Sequence, residues 1–109
     1  MTNPESPLDQ FVNSYLDSYV KWDIITYLSG SIEPETMESL VEGIGRPQPE
    51  IDRALRELVE QRLLEREPQG YRLIPDKKRM ALEFLRYVET REGRLRTIYA
   101  ITKKRMQLA

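Results

Sequence analysis

The stretch Gly43-Ile44-Gly45-Arg46-Pro47-Gln48-Pro49 sets two glycines and two prolines between two apolar stripes, and nothing else in the chain constrains the fold as much. Glycine closes helices because it tolerates left-handed backbone, and proline opens them because its missing N–H has no partner at the first position anyway. The stripe before it is Met37, Leu40, Val41 and Ile44; the stripe after it is Ile51, Ala54, Leu55, Leu58 and Val59. Both run at three- and four-residue spacing, so two helices are expected to meet across a tight turn. Pro34-Glu35-Thr36 opens the first, with acids suited to the positive end of its dipole. Pro49 opens the second, capped by Gln48 and expected to reach Arg62.

The flanking segments follow from the same signals. Residues 1–6 are polar and are expected to be a frayed end. Ser6-Pro7 is a helix start, and Phe11, Val12, Tyr15, Leu16, Tyr19, Val20, Ile24, Ile25 and Leu28 continue a helical stripe to Gly30 as one long helix or two abutting ones. Leu63–Glu67 and Tyr71–Ile74 are short runs on either side of Pro68-Gln69-Gly70, the pattern of a β-hairpin. From Lys77 no proline occurs, and a helical pattern runs nearly to the C-terminus, interrupted only by Gly93.

Composition limits the chemistry. The 109 residues include no cysteine and no histidine, which excludes Ser-His-Asp triads, cysteine nucleophiles and His-ligated zinc. No enzyme, metal or cofactor is expected. No apolar run approaches the roughly 18 residues of a membrane span, and no signal peptide is visible, so a cytoplasmic protein is expected. Net charge is −1, but residues 1–70 hold 6 Lys+Arg against 14 Asp+Glu, and residues 71–109 hold 11 against 4. Such asymmetry points either to an acidic partner such as nucleic acid or to attraction between the two halves.

Helix, short helix, turn, helix and hairpin, carried by Trp22–Gly30, Met37–Val41, Ile51–Arg66 and Gly70–Asp76, resemble the winged helix-turn-helix family. The resemblance includes the family's bacterial MarR-like, ArsR-like and PadR-like regulators and covers residues 20–76. It implies a mainly α fold with a small β-hairpin and helical extensions at both ends. The expected divisions are 1–6, a winged-helix domain over 7–76, and a C-terminal dimerisation helix over 77–109.

The resemblance also implies a DNA-binding transcriptional regulator. The helix at 50–62 would be the recognition helix and the hairpin its wing, with double-stranded DNA as partner. Gln48, Arg53, Arg56, Arg66 and Arg72 are then candidate contacts, because Arg and Gln offer paired hydrogen-bonding groups to purine edges. Lys77, Lys78 and Arg79, cations at a helix N-terminus where the dipole disfavours them, join that set. Four acids on the third helix, Glu50, Asp52, Glu57 and Glu60, oppose phosphate binding. Pairing of Arg53 with Glu57 and of Arg56 with Asp52 or Glu60 is equally consistent with a solvated helix face. The rival reading is therefore a winged-helix protein-interaction module whose acidic helix meets a basic partner.

Ala81, Phe84, Val88, Leu95, Ile98 and Thr102 fall on a heptad-like seam. A helix over 77–108 would be about 48 Å long and would project beyond its own core. A second copy of the chain is the simplest cover for that seam, giving a homodimer. The alternative is that Gly93 folds the segment back onto its own subunit.

Overall fold

The computed structural model describes residues 6–108; the frayed end expected at 1–6 lies outside them except for Ser6, which caps a helix. The described residues form six helices and one two-stranded antiparallel sheet: α1 (Pro7–Tyr15), α2 (Tyr19–Ser29), α3 (Met37–Ile44), α4 (Gln48–Glu60), β1 (Leu64–Glu67), β2 (Gly70–Leu73), α5 (Pro75–Glu89) and α6 (Arg91–Leu108). The chain is thus mainly helical with a small hairpin.

Caps decide where the helices start. Ser6, Ser18 and Thr36 each accept a backbone N–H from the first turn of α1, α2 and α3. Ser18 also answers the question left open over residues 7–29: two helices, broken at 16–18. α3 begins at Met37 rather than at Pro34, because Glu35 is extended and exchanges two 2.8 Å backbone hydrogen bonds with Tyr71. α4 is capped by Pro47 without a side-chain bond, so Gln48 is its first residue and not its cap.

The core is one cluster. Ile24, Ile25 and Leu28 of α2 meet Leu40 of α3, Ile51, Leu55 and Leu58 of α4, and Leu64, Tyr71 and Leu73 of the hairpin. Phe11 and Val12 of α1 and Ala81 and Phe84 of α5 complete it, with Phe11 and Phe84 rings 5.4 Å apart. The hairpin pairs Leu64 with Leu73, Glu65 with Arg72, Arg66 with Tyr71 and Glu67 with Gly70. Gly70 is required there: its φ is +142°, and a Cβ would sit 2.3 Å from the Glu35 carbonyl oxygen.

The single helix expected over 77–108 is not formed. α5 stops at Glu89; Thr90 turns extended at ψ 150°, and its hydroxyl accepts from the Gly93 N–H to start α6. Gly93 is not a kink inside one helix but the contact point of two, since a Cβ there would lie 2.0 Å from the Tyr87 carbonyl oxygen. The C-terminal segment therefore folds back, with α5 against α1 and α2, and α6 against α5 and α1. Ala81 and Phe84, expected on a dimer seam, are fully buried in the core of one chain for this reason. Residues 77–108 are built into the same body as residues 7–76.

Candidate nucleic-acid interface

α4 is fixed from beneath and open above. Its apolar face is buried on α2 and α3, and a lysine holds it laterally. Lys21 of α2, 1% exposed, places its ammonium 3.0 Å from Asp17 and 3.1 Å from Glu57 of α4. Burying a charge is costly unless it is paired, and here two carboxylates from different helices pair it. The turn entering α4 is fixed as well, because Arg46 Nε donates to Asp23 of α2 at 2.6 Å.

The outward side of α4 carries Gln48, Glu50, Arg53, Arg56 and Glu60. Arg53 is 84% exposed and only loosely near Glu57, at 3.8 Å. Arg56 is also exposed but donates through Nε and Nη2 to Asp52, which raises its pKa further, through the hydrogen bond first and the opposite charge second. The two candidate arginines of α4 are therefore unlike: one is available and one is already neutralised.

On the hairpin the same division recurs. Arg72 is held by Glu65 at 2.5 Å and by Glu67 at 2.9 Å, so its charge is spent within the sheet. Arg66 is exposed, its guanidinium 5.7 Å from the centre of the Tyr71 ring. The hairpin tip, Pro68-Gln69, carries no charge. Lys77 and Lys78 are half-buried and Arg79 is exposed, 3.5 Å from Glu83. These three follow Ile74, whose N–H donates to Leu63, so they stand at the base of the hairpin by the C-terminal end of α4. Along a 13-residue helix that base lies about 20 Å from Gln48.

The exposed cations number fewer than the sequence promised. Residues 46–74 contain six arginines and six acids, and Arg46, Arg56 and Arg72 are engaged by carboxylates. Arg53, Arg66 and Arg62 remain. Arg62, just past the end of α4, adopts φ +62°, the left-handed region that glycine usually occupies. It is exposed and stands between α4 and β1 in the chain.

The seam candidates are scattered by the reversal at Thr90. Val88 is half-buried and packed on the core and Ile98 is half-buried, whereas Leu95 and Thr102 are exposed on α6. Among the described residues no helix is long and apolar enough to cross a membrane, and no group of His, Cys, Asp or Glu is placed to hold a metal. No family model, characterised protein or solved structure matches the chain.

Proposed function

We propose that the chain is a winged-helix DNA-binding domain that acts as a homodimeric transcriptional regulator, with α4 as recognition helix and β1–β2 as wing. The observation that carries this reading is the placement of α4. Its N-terminal half, with Gln48 and Arg53, stands exposed after a turn pinned to α2, and a hairpin bearing Arg66 lies at its other end. A rigidly seated helix with polar residues on its outer N-terminal half is what insertion into a major groove requires. Arg62, Arg66 and Arg79 would then serve the phosphates alongside, and a regulator of this kind works in the cytoplasm.

The engaged arginines favour a second reading. With Arg56 and Arg72 neutralised by acids, the same surface suits a basic protein partner and no DNA. The two readings differ in the sign of one experiment. Under DNA binding, Arg53→Ala weakens duplex affinity by about fivefold or more. Asp52→Asn tightens it, because it frees Arg56 and removes an acid that repels phosphate. Fluorescence anisotropy with a labelled duplex reads both. A protein-docking surface predicts no duplex binding by either variant.

A further inference from the structure

We infer that Lys21 is a positioning residue for the DNA contact: by holding the Glu57 carboxylate against α2, it keeps Arg53 of α4 available to the duplex. The inference rests on the DNA-binding reading above and adds to it the device that leaves one arginine of α4 open.

Lys21 is too deeply buried to touch DNA, so it reaches the surface only through what it binds. Glu57 has two oxygens and two cations beside it. Its Oε2 stands 3.1 Å from the Lys21 ammonium, within hydrogen-bond reach. Its Oε1 stands 3.8 Å from Arg53 Nε, beyond that reach. Among the described residues no other cation comes within ion-pair distance of Glu57. The buried ammonium is the stronger claimant, because a charge removed from water needs its partner far more than an exposed one does.

Arg56 shows the result where no buried cation competes. Its acid, Asp52, also lies four residues away, and Arg56 donates to it through both Nε and Nη2. The order of charges adds to the difference. Acid before base is the better arrangement at this spacing, so the reversed Arg53–Glu57 pair is weak enough for Lys21 to loosen. Glu50, three residues before Arg53, does not replace Glu57. It sits in the first turn of α4 at the positive end of the dipole, and among the described residues it forms no ion pair with Arg53.

The neighbourhood makes the consequence local. Asp17, Arg46, Glu50, Arg53, Glu57 and Arg105 line one groove of about 410 Å³ beside α2 and α4. Arg46 is already held by Asp23, and Asp17 by Lys21 at 3.0 Å. Without the Lys21 ammonium, Glu57 is left with Arg53 as the cation in reach on its own helix. An arginine covered by a carboxylate no longer neutralises phosphate, and α4 would then present Arg53 in the same spent state as Arg56.

Two readouts test this, one of them without DNA. Exchange of the Arg53 Hε proton with water, followed by nuclear magnetic resonance on the free chain, reports whether a carboxylate holds it. Lys21→Met keeps the stem and should slow that exchange by about twofold, the strength of a helical pair at this spacing. Lys21→Met/Glu57→Gln should restore the original rate, and Glu57→Gln alone should leave it unchanged. Anisotropy with a labelled duplex at low salt should show affinity about threefold weaker for Lys21→Met and restored in Lys21→Met/Glu57→Gln. Lys21→Met/Asp17→Asn removes an equal charge from the same groove but leaves Glu57 on Arg53, so its affinity should stay low. Equal rescue by Asp17→Asn and Glu57→Gln would mean that net charge alone matters, and overturns the inference. So does no rescue by Glu57→Gln, the result expected if Lys21 merely anchors α4. Should Lys21→Met fail to fold by circular dichroism, Glu57→Gln decides alone: faster Arg53 exchange would show that Glu57 already held it. An unmodified chain that binds no duplex would overturn the DNA reading, while the exchange rates still show whether Lys21 controls Arg53.

Discussion

Lys21 is where the charge pattern of the chain becomes structure. Its stem fills core space between α2 and α4, and its ammonium joins Asp17 to Glu57. The i,i+4 spacing of Asp17 and Lys21 is visible in the sequence; the third partner, 36 positions on, is not. Glu57 equally matched Arg53, and the buried ammonium wins because an unpaired charge costs far more inside than at the surface. Lys21→Ala should cost roughly 2–4 kcal/mol by opening a cavity. Lys21→Met should cost less, since it keeps the stem and leaves two carboxylates that water still reaches. Urea denaturation of both variants checks this, and equal losses would mean that the ion pairs rather than the packing hold α4. Lys104 follows the same logic at longer range. Burial lowers its pKa first, Asp17 raises it and Lys21 lowers it again, so the two lysines and Asp17 form one electrostatic neighbourhood joining α6, α1 and α2.

At the scale of elements, stripes and punctuation were readable where proline or glycine marks the backbone. The α3–α4 turn, the hairpin and the stop near Gly30 all follow from such residues. The α5–α6 corner has no proline and is marked instead by Thr90, a hydroxyl residue of the kind that caps helix starts. Thr90 caps α6 locally, its hydroxyl accepting the Gly93 N–H three residues on at 3.0 Å, so the corner is a cap signal in the sequence rather than a tertiary effect. Gly93 is visible in the sequence as an interruption, and its role is close approach to Tyr87 rather than bending. Gly93→Ala should therefore destabilise by about 1–3 kcal/mol despite alanine's better helix propensity, since the added carbon meets a backbone oxygen. Thermal denaturation measures it; an unchanged midpoint would mean that the corner is loose. In the candidate interface, residue types and helix were legible, but which arginines are free was not. Arg72 lies directly opposite Glu65, a pairing that exists only once strand register is fixed.

For the whole molecule, the small net charge conceals a sorted one. The acidic part contains α4, and the basic part contains the base of the hairpin and α6. The fold partly cancels this asymmetry internally, through Lys104 on the end of α1. What remains outward is Arg53, Arg62, Arg66 and Arg79 around α4 and the hairpin. The most direct measurement is the retardation of sheared genomic DNA by the full chain as salt is raised from a low starting concentration. DNA binding through α4 and the hairpin predicts a complex at low salt whose affinity falls steeply as salt rises. No complex at low salt, with the protein dimeric, would contradict it.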